Sequence, residues 1–137
     1  MCKKIIPTTL VGSYPQPGWL VNKDVLTGNS PPRIRMRDIW RICKSELQEA
    51  QDDATLAAIH DQERAGIDIV SDGEMRRWYF VQSFTKRMKG IVRDPELRKT
   101  GLYGYDSPPR YHAEDYITVP NGLGIVDEFK YAKENTE

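Results

Sequence analysis

The order of elements legible in the chain predicts an α/β fold. Three observations carry that expectation. Two short β-branched, apolar runs, Thr8–Gly12 and Ile67–Ser71, each close on turn residues. An alanine-rich helical pattern lies between them, and a further strand-like run, Tyr116–Pro120, is followed by an amphipathic segment, Leu123–Asn135. Strand–helix alternation of this kind calls for parallel strands joined by right-handed crossovers.

Each element has a local reason. Thr8-Thr9-Leu10-Val11-Gly12 reads as a buried strand, and Ser13-Tyr14-Pro15-Gln16-Pro17-Gly18 as a stiff loop, because two prolines deny helix and glycine permits a tight turn. Turn formers from Asn22 to Arg35 mark an exposed excursion. A helix is expected from Met36, with a break around Ser45–Gln48, to Ala65, where Gly66 supplies the stop. Its alanines Ala50, Ala54, Ala57, Ala58 and Ala65 allow close approach to a sheet, while Glu49, Asp52, Asp53, Asp61 and Glu63 read as mostly solvated. Gln62 reads as an exposed amide on this helix.

Ile67-Asp68-Ile69-Val70-Ser71 is apolar enough for a strand buried on both faces. Arg77–Met88 fits another helix, and residues 90–111 a long polar loop punctuated by Pro95, Gly101, Gly104, Pro108 and Pro109. Tyr116–Pro120 is the third strand and Leu123–Asn135 the last helix, with Ile125, Val126, Phe129 and Ala132 facing inward.

Composition removes several function classes. The 137 residues carry 20 Lys+Arg against 20 Asp+Glu, a formal net charge of zero, so the electropositive footprint of a nucleic-acid-binding protein is missing. No apolar run approaches the roughly 20 residues that span a bilayer, and the N-terminus lacks a signal-peptide apolar region, so a cytoplasmic protein with no membrane partner is expected. Cys2 and Cys43 read as buried or incidental thiols, and His60 and His112 stand alone, so no metal site is expected within the chain.

Both clear strand ends carry unusual polar residues, at the edge where α/β folds place their sites. Val11-Gly12-Ser13 offers backbone N–H groups and a hydroxyl as a cradle for a carboxylate, although taken by themselves the residues favour an ordinary Gly-Ser turn. In Asp72-Gly73-Glu74 the glycine turns the chain so that two carboxylates converge on a pocket, where one could hold an ammonium or act as a base. A solvated turn whose acid complements a helix N-terminus fits the same residues. Arg76-Arg77-Trp78-Tyr79-Phe80 sets cations beside aromatics, as a binding patch or a packing helix would.

Together, Thr8–Pro17, the run from Asp61 to Arg77 and, more weakly, Val119–Thr136 resemble the cobalamin-independent methionine synthase family, in particular its C-terminal catalytic domain and shorter stand-alone relatives. The resemblance implies a (β/α)8 barrel in which a zinc ion holds homocysteine as thiolate while it takes a methyl group from a methylated folate. A thiol with pKa near ~8.5 becomes a nucleophile at neutral pH once zinc displaces its proton. By the same resemblance Val11, Gly12 and Ser13 hold the amino-acid carboxylate, Glu74 receives its ammonium, and Asp72 is a candidate pocket residue standing where the large synthases have histidine.

A complete barrel takes roughly 250 residues, so this chain corresponds to about the first three β/α units with long loop insertions. Residues 1–137 would then form the N-terminal part of a single catalytic barrel. The family's zinc ligands, a His-x-Cys pair, a glutamate and a later cysteine, lie on later strands. Where the synthases have an Arg-Cys pair before Pro-Pro, this sequence has Gly104-Tyr105-Asp106-Ser107-Pro108-Pro109. Two alternatives accompany this reading: a thiol alkyltransferase of the epoxyalkane coenzyme M transferase type, and a catalytically silent fragment that needs a complementary chain.

Overall fold

The computed structural model describes residues 6–24, 39–77, 84–94 and 111–137. The turn-rich stretch at 25–35, the expected helix start at 36–38, residues 78–83 and residues 95–110 of the expected loop lie outside the described residues, as does Cys2. The chain forms two compact units, one of residues 1–21, 40–77 and 126–137, the other of residues 22–39 and 78–125.

The first unit is organised by helix α1, Leu47–Arg64, whose buried face is Ala54, Thr55, Ala58, Ile59 and Gln62. The spacing of three and four residues puts these side chains on one stripe, and small residues along it let other backbone come close. Leu20, Val21 and Met75 complete the apolar core of this unit, and full burial of side chains such as Leu20 and Ile59 is worth about 1.5–3 kcal/mol each. Thr55 satisfies its buried hydroxyl by donating to the Gln51 carbonyl at 2.8 Å.

Helix α1 starts at Leu47, not Met36. Trp40 is held extended by an antiparallel bridge to Val21, with the Arg41 N–H donating to the Leu20 carbonyl at 3.0 Å, and extended backbone there is incompatible with a helix running through it. The expected stop at Gly66 is met. Gly66 adopts φ 75°, its N–H donates to the Glu63 carbonyl at 2.9 Å, and the Ile67 N–H donates to the Gln62 carbonyl at 3.0 Å. That pair of bonds is a Schellman cap.

The cap sends the chain back beside its beginning. Thr9 and Ile69 form a parallel bridge, reinforced by the Ile69 N–H to the Thr8 carbonyl at 3.0 Å and by the Thr9 hydroxyl to the Ile69 carbonyl at 2.8 Å. The Asp68 carboxylate accepts from both the backbone N–H and the hydroxyl of Thr8, at 2.9 and 2.8 Å. Two parallel segments joined through α1 give the α/β character the sequence predicts. Burial on both faces is not found: Ile69 is 55% exposed, because among the described residues only one neighbouring segment pairs with it.

Helix α2, Ile125–Glu134, matches the expected last helix, with Asp127 and Glu128 in its first turn and Lys133 in its last, complementing the macrodipole. Its orientation differs from expectation. Phe129 and Val126 are each 64% exposed and Ile125 is also exposed, because the segment from α2 onward packs on α1 through polar side chains on another face. The Tyr131 hydroxyl donates to the Asp52 carbonyl at 3.2 Å, the Arg76 guanidinium sits 4.8 Å from the Tyr131 ring centroid and pairs with Asp52, and the Thr136 hydroxyl donates to Glu63 at 2.8 Å. The acids Asp52 and Glu63 are therefore engaged, not simply solvated.

In the second unit a 3-10 turn, Thr85–Arg87, leads into a two-stranded antiparallel sheet of β1, Lys89–Arg93, and β2, Tyr111–Thr118. This corrects two expectations. Residues 90–93, read as the start of a loop, are strand, and the third strand is antiparallel rather than part of a parallel sheet. Register explains why the pattern misled. Ile91 pairs with Ala113 while Lys89 pairs with Thr118, so β2 bulges, and Tyr116 and Ile117 in the bulge are exposed instead of buried. Gly90, at φ 82°, makes room for it: a Cβ there would lie 2.3 Å from the Tyr116 carbonyl oxygen.

Candidate functional site

The two polar strand ends predicted to carry function meet in the first unit. Val11, Gly12 and Ser13 are exposed, Val11 at 97%, and Gly12 adopts φ 79° with open space around it. Immediately after them, the Tyr14 N–H donates to the Gly73 carbonyl at 3.0 Å. Sequence positions separated by the whole of α1 are thus joined backbone to backbone.

The Asp72-Gly73-Glu74 turn is tight and strained. Gly73 and Glu74 both have positive φ, 65° and 57°, and Glu74 is the one non-glycine among the described residues in that region. A left-handed conformation at a non-glycine residue costs about 1–3 kcal/mol. It is held by the Asp72 carboxylate, which accepts the Glu74 N–H at 3.0 Å, and by the Ser71 hydroxyl, which accepts the Gly73 N–H at 3.3 Å. The bond places one oxygen of Asp72 on the turn backbone. Gly73 is obligatory on packing grounds as well, since a Cβ would stand 2.9 Å from the Tyr14 Cβ and 3.1 Å from the Ala58 Cβ.

Two buried amides clamp this turn from either side. Gln62, 1% exposed, donates through Nε2 to the Ala58 and Ser71 carbonyls at 2.8 and 2.9 Å, and its Oε1 accepts the Ser71 N–H at 2.9 Å. Gln16, also buried, donates to the Met75 and Arg77 carbonyls at 3.2 and 3.0 Å. The expectation of an exposed Gln62 is corrected here: the residue continues the Ala54–Ala58 stripe, and satisfying both polar groups of Ser71 compensates its burial. That shared phase with Ala54 and Ala58 was the sequence signal for it. Gln16, between two prolines in a loop, gave none.

The Glu74 carboxylate lies 3.6 Å from the Arg77 guanidinium, whose other terminal nitrogen is 3.5 Å from Glu128 of α2. Nearby, the Tyr14 hydroxyl donates to Asp61 at 3.1 Å, and that bond to a carboxylate raises the phenol's pKa. On α1, the Glu137 N–H and the Thr136 hydroxyl both donate to Glu63 and lower its pKa. Burial raises the pKa of Tyr131, beneath Arg76. Of the expected aromatic–cation patch, Arg76 finds its ring on Tyr131, and residues 78–80 lie outside the described residues. Cys43 is an exposed free thiol. Among the described residues no group of three or more His, Cys, Asp and Glu is arranged to hold a metal ion, so these residues do not fit a zinc site. No helix among them is long and apolar enough to cross a membrane.

Residues 6–113 match the family model described as "Cobalamin-independent synthase, Catalytic domain". The chain is 38% identical over 129 residues to a methionine synthase of Sulfurisphaera tokodaii, covering 94% of this chain and 34% of that protein. It is 33% identical over 132 residues to a methionine synthase of Pyrococcus furiosus, covering 96% and 35%. A solved B12-independent methionine synthase from Shewanella sp. W3-18-1, in complex with selenomethionine, superposes with a TM-score of 0.66 at 28% identity, over 95% of this chain and 35% of that one. The chain therefore spans about a third of the length of the proteins it matches.

Proposed function

The chain belongs to the cobalamin-independent methionine synthase family, a family of methyltransferases, and we propose that it forms the amino-acid-binding side of a methionine-synthase-like barrel. In this reading it is the amino-terminal part, about three β/α units, of a cytoplasmic enzyme that methylates homocysteine from a methylated folate. The observation that carries the site is the Tyr14 N–H bond to Gly73 at 3.0 Å, which draws Val11-Gly12-Ser13 alongside Asp72-Gly73-Glu74. Support for an amino-acid ligand comes from the Shewanella relative, solved with selenomethionine, a molecule with the same carboxylate and ammonium.

The roles follow from donor chemistry. Backbone N–H groups at Gly12 and Ser13, with the Ser13 hydroxyl, bind the carboxylate; Gly12 lets it approach without a side chain in the way. Glu74 accepts the ammonium through charge-assisted hydrogen bonds, and Asp72 fixes the backbone that aims it. Holding the amino acid at both ends orients its thiol for transfer, where alignment supplies much of the rate. Zinc, in the family reading, would supply thiolate at neutral pH, with its ligands expected on later strands of the barrel. The exposed Val11 and Ile69 on the parallel pair are consistent with a complementary segment that continues the sheet.

Isothermal titration of L-homocysteine and L-methionine into the protein expressed from its full reading frame tests this. Glu74→Gln is expected to weaken both by about tenfold or more, as loss of a charged partner does. Equal affinity for wild type and variant would sink the assignment. Binding of 2-mercaptoethanesulfonate that ignores Glu74→Gln would point instead to the coenzyme M type of thiol substrate, which has no ammonium.

A further inference from the structure

Glu74 shares its cation. Arg77 Nη1 lies 3.6 Å from Glu74 Oε1 and Nη2 lies 3.5 Å from Glu128 Oε2, and the three side chains are each about one-fifth exposed, at 22%, 18% and 21% for Arg77, Glu74 and Glu128. The base from which Arg77 reaches is fixed independently. Its N–H donates to the Glu74 carbonyl at 3.0 Å, and its own carbonyl accepts the buried Gln16 amide at 3.0 Å. A guanidinium so anchored, with one arm on each carboxylate, ties the direction of the Glu74 side chain to the position of α2.

We infer that Arg77 is a positioning residue for Glu74 and that Glu128 acts on the site through Arg77. Backbone strain at φ 57° sets only where the Glu74 Cβ points; the remaining side-chain torsions are free unless a partner holds the carboxylate. Arg77 provides that partner, and Glu128 keeps its guanidinium from folding fully onto Glu74, which leaves Glu74 an oxygen for an incoming ammonium. A lysine in its place keeps the charge but has a single ammonium where the fork has two separate nitrogens. The reading rests on the amino-acid site proposed above for its affinity consequences, and not for the side-chain linkage itself.

Two measurements on the full-reading-frame protein separate these. Without ligand, the ¹³C resonance of the Glu74 carboxyl is compared among wild type, Arg77→Lys and Glu128→Gln, with the Ser71 and Gly73 amides reporting that the turn is intact. Both substitutions are expected to move the Glu74 resonance; if Glu128→Gln leaves it in place, the linkage is overturned. With L-homocysteine, Arg77→Lys is expected to weaken binding about tenfold and Glu128→Gln about threefold, with the double variant no weaker than Arg77→Lys alone, since Glu128 acts only through Arg77. Additive losses would overturn the inference. A wild type that ignores homocysteine while its Glu74 resonance responds to Glu128→Gln would reject the amino-acid reading and leave the positioning role standing.

Discussion

The Asp72–Met75 turn and the β1–β2 pair each accommodate a glycine at positive φ, Gly73 and Gly90, in opposite ways. The turn is held by groups from outside it: the Gln16 and Gln62 side chains and the Tyr14 N–H reach it and its flanks across 9 to 61 residues, and its glycine lies against α1. The strand pair is built from backbone pairing around Gly90, with most of β2 open to solvent. Damage to the first propagates into a core, and damage to the second stays local. A site that must hold a carboxylate in one place belongs on the first.

The largest expected effect is at Gly73. Gly73→Ala forces a methyl against Tyr14 and Ala58 at an unfavourable φ, and should lower global stability by about 3 kcal/mol, read as a single cooperative shift in urea unfolding. Gln62→Ala comes next: it strands both polar groups of Ser71 and should cost about 2 kcal/mol in the same assay. Gly90→Ala, although its steric conflict is closer, should speed hydrogen exchange in β1 and β2 while leaving α1 amides protected. A global loss there would break the contrast.

Glu74→Gly sharpens it from the other side. Relief of strain should stabilise the protein by about 1 kcal/mol while amino-acid binding falls, so that stability and affinity move in opposite directions. The smallest effect is a pH dependence confined to the β1–β2 pair. His112 Nδ1 lies 2.5 Å from Asp94, and that hydrogen bond, with Glu114 adding attraction at 3.7 Å, raises the imidazole pKa. A raised folded pKa means the contribution is complete below the unfolded value near ~6.5 and disappears as pH rises through the folded one. Amide exchange across β2 should accelerate over that window, and Asp94→Asn should shrink most of the dependence, leaving the smaller part due to Glu114.

What could be read from the sequence follows the same division. The parallel approach of Thr8–Gly12 and Ile67–Ser71, the stop at Gly66 and the span of the last helix were legible, because each depends on local composition and on strand–helix alternation. The burial of Gln62 was only half legible, in its shared phase with Ala54 and Ala58, since its partner Ser71 becomes its neighbour only after the Schellman cap reverses the chain. The antiparallel partner of β2 was hidden too: Lys89-Gly90-Ile91-Val92-Arg93 sits beside a glycine that reads as a breaker and in fact admits a bulge. The outward turn of Val126 and Phe129 was invisible because periodicity locates an apolar face without saying what it meets.

That outward face has a practical side. An isolated chain with no net formal charge has little mutual repulsion to keep its copies apart, and the Ile125–Val126–Phe129 stripe gives them something to stick with. Sulfate and phosphate strengthen such association by being excluded from the surface. Preparations should therefore salt out early near neutral pH, and a dilute chloride buffer displaced from neutrality should keep them in solution.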